Sequence, residues 1–121
     1  MTLDDEVFDL IKARMQLTSM ALDSLIRSYM DEIRQRILNY TRQSAVPTGL
    51  KYAWMNMTLD LLKVREYRLP EVAALIDDVA VDVKIGDTSV KLGAAPGVTV
   101  DAIVTGYAAD LRRYRRMGWE G

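Results

Sequence analysis

Histidine and cysteine are both missing from this 121-residue chain. Without cysteine there is no disulfide framework, no thiolate nucleophile and no thiolate metal site. Without histidine the chain lacks the usual general base near neutral pH and the commonest metal ligand. Catalytic triads, histidine phosphotransfer and most metalloenzyme chemistry are excluded together. Carboxylate or lysine chemistry survives in principle, but no paired groups in the sequence mark a cleft for it. Long apolar runs are missing too, and none approaches the roughly 20 residues of a membrane span. The opening segment, Met1 to Glu6, is acidic, whereas a secretory leader starts basic and turns apolar. The expectation is a soluble, non-secreted protein made in a reducing cytoplasm. No charge of one sign dominates: the net charge is -1, so no global field draws the chain onto nucleic acid. What is present is ordinary for a folded globule, with 50% hydrophobic and 27% charged residues. The length fits one domain over residues 1–121, burying roughly 60–70% of its unfolded surface without a metal or disulfide staple.

Helical spacing dominates the first half. Leu3, Val7, Leu10, Ile11 and Met15 predict a helix over 3–15, capped by Thr2 with Asp5 in the first turn. Acids near its start suit the helix dipole. Thr18 or Ser19 is the next cap, and a second helix is predicted over 20–42. Its stripe, Leu22, Leu25, Ile26, Tyr29, Ile33, Ile37 and Tyr40, steps by threes and fours. Ser44 to Gly49 breaks the pattern. A third helix follows over 48–66, with Leu50, Ala53, Trp54, Met57, Leu61 and Val64 on one side and Met55, Thr58 and Leu62 beside them. So wide a stripe places this helix at the centre of a bundle or under a neighbouring subunit. Pro70 suits a first helical position, for a short turn to about Ile76.

The period then changes to two. Val79, Val81, Val83 and Ile85 alternate with polar or small residues, Gly86-Asp87 intervenes, and Val90 and Leu92 resume the alternation. This predicts a β-hairpin over about 79–92 with a tight turn. A lone hairpin is marginal in water, so it leans on the helices or on another chain. Gly93 to Gly97 forms a joint. A last helix with Thr99 as cap is predicted over 99–116, on Val100, Ile103, Val104, Tyr107, Leu111 and Tyr114, and the C-terminal helix and tail together cover about 99–121. Gly106 weakens it slightly. The fold class is therefore mainly α: a bundle of three to four helices with a β-hairpin inserted before the C-terminal helix.

Candidate chemistry is sparse. Asp77, Asp78 and Asp82 offer oxygens suited to magnesium or calcium, but the spacing fits no calcium loop, and a solvated helix end explains them. Gly86-Asp87-Thr88-Ser89 lacks the glycine spacing and lysine of a phosphate loop. A hairpin turn explains it, with Gly86, Asp87 and Thr88 as candidate contacts at its tip. Ser and Thr have no base to activate them. Lys12, Lys51, Lys63, Lys84 and Lys91 sit on polar or mixed faces, not the desolvated sites a catalytic lysine needs. No catalytic residue, metal site or cofactor is expected. The methionines Met15, Met20, Met30, Met55, Met57 and Met117 read as core filling.

One dense basic cluster remains. Arg112, Arg113, Arg115 and Arg116 enclose Tyr114, and Trp119 follows. Three readings stand. The cluster binds phosphates and stacks on bases; it grips an acidic protein surface, where Arg and aromatics are hot spots; or it is a solvated helix end favoured by the dipole. Trp119, a large aromatic near the end of the sequence, favours the protein partner.

Four segments in order resemble the small head–tail connector proteins (adaptor or head-completion proteins) of tailed phages and prophages. These are Arg36-Ile37-Leu38-Asn39-Tyr40-Thr41, the break Pro47-Thr48-Gly49-Leu50 leading to Leu59-Asp60-Leu61-Leu62, the hairpin Ile85 to Val90, and the tail Leu111 to Arg116 with Trp119. The stretch Leu69 to Ala80 is long for that pattern. The resemblance implies a structural virion protein at the head–tail junction, assembled in a bacterial host's cytoplasm. It implies a ring of copies, typically twelve, beneath the portal protein, which extends the DNA channel without sequence specificity. The ring would offer a surface to the next head-completion or tail protein. Arg112, Arg113, Tyr114, Arg115, Arg116 and Trp119 are then the expected contacts to portal or neighbouring subunit. The competing expectation is a small helical DNA-binding module using the same arginines.

Overall fold

The computed structural model describes residues 2–18, 20–66, 69–73, 82–85, 88–91 and 96–115. Side chains are not described at 71, 73, 82–85, 88–91, 96–99 and 101. The protein is mainly helical. Helix α1 is Leu3–Met15. Thr2 caps it as expected, its Oγ1 accepting the Asp5 N–H at 3.2 Å. Hydrogen bonds from the Thr2 hydroxyl and then from Arg27 hold the Asp5 carboxyl below its ordinary value. Gln16 ends the helix in the left-handed region, φ 55°, a turn that satisfies the last carbonyls.

Helix α2 spans Asp23–Thr41 and corrects two expectations. It starts three residues after the expected 20, and neither Thr18 nor Ser19 is its cap. Leu22 holds the cap position with no side-chain bond. The starting turn is instead filled by backbone, Asp23 N–H bonding Met20 O at 3.2 Å, while the Asp23 carboxylate takes Lys12 of α1 at 2.7 Å. Asp5 binds Arg27 at 3.3 Å, and the Arg27 guanidinium lies 4.0 Å from the Phe8 ring centre. These ties set α1 antiparallel on the first half of α2. Met20 belongs to this connection and is 80% exposed, so it fills no core, unlike Met15, Met30, Met55 and Met57.

After Pro47 the chain makes one 3₁₀ turn, Thr48–Leu50, and enters α3, Lys51–Arg65. This is the central helix. It packs on α1 and α2, and on α5 described below. Trp54, Met57, Leu61, Leu62 and Val64 are fully buried. The wide stripe is thus covered within the chain, with no neighbouring subunit needed. Trp54 donates its indole N–H to the Met30 carbonyl at 3.0 Å. Thr41 and Thr58, both buried, donate back to Ile37 O and Trp54 O four residues earlier, so no buried hydroxyl goes unpaired there. At the far end of α3, Arg65 forks onto Glu32 at 2.6 and 3.3 Å. The Tyr29 hydroxyl donates to Glu66 at 2.5 Å; burial and then that carboxylate push it up to about 12.

Pro70 opens a short helix, α4, Pro70–Ala73; the expected continuation to Ile76 lies outside the described residues. The backbones of Asp82–Ile85 (β1) and Thr88–Lys91 (β2) pair antiparallel, Val83 opposite Val90, with β1 beside α3 and β2 beside α5. The turn residues Gly86 and Asp87, and the expected outer ends of the hairpin, lie outside the described residues.

The single C-terminal helix expected over 99–116 is two helices. α5 is Pro96–Gly106 and α6 is Ala108–Arg112. Proline fixes φ and suits a first turn, so Pro96 starts α5 and Thr99 lies inside it. The ladder breaks at Tyr107, after Gly106, and Leu111 turns inward, fully buried, to anchor α6. Val7, Ile11, Ile26, Ile33, Trp54, Leu61, Ile103 and Leu111 all belong to one core cluster. Among the described residues no helix is long and apolar enough to cross a membrane.

Candidate partner-docking surface

The expected tail residues divide. Arg112, Arg113 and Arg115 are exposed, and Tyr114 between them is half-buried against the core. Arg116 and Trp119 lie outside the described residues, as do Gly86 and Asp87. Thr88 begins β2, with its side chain undescribed. The structure therefore does not bring the hairpin tip and the arginines into one described site.

Several bonds fix the segment that carries the arginines. Buried Leu111 pins α6 from below. The Gln43 side-chain amide donates to the Tyr114 carbonyl at 2.7 Å, across 71 residues of sequence. The Tyr107 hydroxyl donates to Asp60 Oδ2 at 2.8 Å. Tyr114 lies over Gly49: a Cβ at that glycine would overlap the tyrosine hydroxyl. Glycine here lets the tyrosine ring lie directly on the backbone; a larger residue would displace the end of that side chain. A segment held at four points presents its arginines with little ordering cost on binding.

Asp60 is the buried carboxylate beneath this segment, 8% exposed. Burial raises its pKa, and the Tyr107 hydroxyl and Lys63, 3.9 Å away, act against that rise. Burial and the neighbouring Asp60 in turn push the Tyr107 phenol well above its ordinary value.

Around the arginines the fold gathers residues that no sequence motif linked to them. Arg115 lies 5.5 Å from the Tyr40 ring centre, and Lys51 lies 5.2 Å from that of Tyr52. Tyr52 is 55% exposed, a rare large side chain left in solvent. Between α3 and α6 a pocket of about 250 Å³ is lined by Gly49, Leu50 and Ala53, by Tyr52, Tyr107 and Tyr114, and by Asn56, Asp110 and Arg113. A second, more open hollow of about 320 Å³ adjoins Arg36, Asn39, Tyr40, Val104 and Thr105. Cations and tyrosines therefore interleave along one end of the bundle, built from the last turns of α2, the first turns of α3, and α6. Alternating Arg and Tyr is the composition of an interface core. Nothing in the sequence linked Lys51, Tyr52, Tyr40 or Gln43 to the arginines: Tyr40 reads as part of the α2 stripe, Lys51 as a polar-face lysine, and Tyr52 and Gln43 carry no motif. The single available hint was Tyr52, an aromatic off the apolar stripe of α3.

Comparison with protein-family models, with characterised proteins and with solved structures returns no match.

Proposed function

We propose that this chain is a structural virion-assembly protein: a ring-forming head–tail connector subunit that docks on the portal protein and extends the DNA channel toward the tail. In this reading it is non-catalytic and needs no cofactor. It acts at the head–tail junction of a phage or prophage particle, in a ring of about twelve copies, and receives the next head-completion or tail protein on its other side. The pairing strands before α5 form the inserted hairpin of such a subunit. The observation that carries the reading is the fixed Arg–Tyr end of the bundle, where Arg112, Arg113 and Arg115 are exposed on a segment anchored by Leu111 and Tyr114. A docking protein needs such a preorganised, charged and aromatic surface; an unanchored tail would lose more entropy on binding.

The test is assembly. Purified chain is mixed with purified portal, and the complex is weighed by native mass spectrometry and imaged by electron microscopy. Rings of the chain on the portal are expected; a strict monomer that ignores the portal sinks the reading. Deleting 112–121 also removes Tyr114 from its seat over Gly49, so charge reversal at Arg112, Arg113 and Arg115 is the cleaner perturbation. The same interleaved cations and tyrosines favour a second reading, a DNA-binding module. That reading expects duplex DNA binding that weakens steeply with salt, and no retention at low salt disposes of it.

A further inference from the structure

Resting on the docking reading above, we propose that the pocket between α3 and α6 is a socket for one aromatic side chain of a partner protein, flanked in the partner's sequence by Asp or Glu. Size sets the class of occupant. Small-molecule sites run to roughly 300–1,000 Å³, whereas this pocket holds about 250 Å³, room for a single large side chain. Its walls set the chemistry. Tyr52, Tyr107 and Tyr114 give aromatic surface, and Leu50 adds an apolar patch; an aromatic ring packs there by edge or offset stacking. The polar groups set the flank. Arg113 lines the pocket, its side chain forms no hydrogen bond or ion pair among the described residues, and it stands near exposed Arg112 and Arg115 on the same segment. Lys51 sits over Tyr52 at the rim. These four cations outnumber Asp110 in the pocket wall and buried Asp60 behind Tyr107, which selects a carboxylate beside the aromatic anchor. A nucleic acid would use the same cations, but about 250 Å³ has room for a base without its sugar and phosphate, and binding of a single strand, measured below, separates the two.

The experiment is a selection. A random dodecapeptide library displayed on filamentous phage is panned against the full chain, and enriched peptides are labelled with fluorescein for anisotropy. Enriched peptides are expected to share an aromatic residue beside Asp or Glu. Replacing that aromatic with alanine, or changing the chain by Tyr52→Ala or Arg113→Glu, is expected to weaken binding by about tenfold or more. Arg14→Glu, on the exposed side of α1, is expected to leave binding unchanged. Circular dichroism checks that each variant keeps its helices. The proposal is overturned by no enrichment, by peptides lacking an aromatic, or by binding indifferent to Y52A and R113E. It is also overturned if a fluorescein-labelled 20-nucleotide single strand binds with the same dependence on Tyr52, or if sedimentation shows self-association that Y52A abolishes. Ring assembly on the portal is read separately. Rings that form normally with Y52A and R113E sink the socket and leave the connector reading standing; peptide binding without rings does the reverse.

Discussion

Gly49 and Tyr114 are 65 residues apart in sequence and fit only each other's shape. A Cβ at Gly49 would overlap the Tyr114 hydroxyl, so Gly49→Ala must move either the tyrosine or the 3₁₀ turn. The atom met is the far end of a half-buried side chain that can swing aside, so the cost is at the low end for overpacking, about 1 kcal/mol. The expected result is a lower urea midpoint with loss of the Gln43 bond to the Tyr114 carbonyl, seen as faster amide exchange over 111–115. Tyr114→Ala in the Gly49→Ala background should recover little, because the filled contact is then lost. Asp60 gives a second residue-scale test. Its carboxyl is raised from the ordinary 3.8, chiefly by burial. A raised carboxyl favours folding when protonated; that contribution is full below the unfolded pKa and is lost as pH rises through the folded one. At neutral pH the ionised group is therefore a cost that Asp60→Asn removes while keeping an acceptor for Tyr107. Asp60→Asn should match or exceed the parent in urea stability at pH 7, and the parent should close the gap as pH falls toward about 4. Asp60→Ala should instead cost about 1–2 kcal/mol, since it strips the Tyr107 hydroxyl of its acceptor.

Elements were more legible than ties between them. The stripes Val7–Ile11–Met15, Ile26–Ile33–Ile37 and Val100–Ile103–Leu111 are read directly from threes and fours, and each faces the core. The wide stripe of α3 left two coverings open, and the structure covers it with α1, α2 and α5. Helix ends were misplaced where local signals competed. Thr18 and Ser19 are good caps by type, yet α2 begins at Asp23, because a carboxylate there binds Lys12 and ties two helices together. Thr99 lost to Pro96 for a different reason: proline fixes φ and suits the first turn of a helix. The candidate docking surface was half legible. The arginines stand in one run, but Tyr40, Lys51 and Tyr52 reach them only through folding, and no period encodes that. The central place of α3 has a measurable consequence. Leu61→Ala should cost about 2–5 kcal/mol, read from denaturant unfolding, while Tyr52→Ala on the exposed side of the same helix should change stability by about 0.5 kcal/mol or less.

At the scale of the whole molecule, a chain of net charge -1 carries its charges unevenly. Charges of α1 are partly neutralised by ties to α2, Asp5 to Arg27 and Lys12 to Asp23. The opposite end exposes Arg112, Arg113 and Arg115 with Asp110 as the acid among them. Cations gathered in this way among the described residues would steer an acidic surface toward that end. Steering and holding then fall to different residues. Exposed rim charges act on the rate of encounter and its salt dependence, while a desolvated aromatic contact acts on the rate of escape. The double reversal R112E/R115E, which spares the pocket-lining Arg113, should therefore slow association with an acid-bearing partner by about tenfold at low salt, and the difference should shrink as ionic strength rises and the screening length falls to about 8 Å. Tyr52→Ala should leave association nearly unchanged and speed dissociation. Surface plasmon resonance of the chain over immobilised portal, run at several salt concentrations, separates the two. If both variants change only the dissociation rate, the arginines are held in the interface rather than at its rim, and the division of labour between field and socket is wrong.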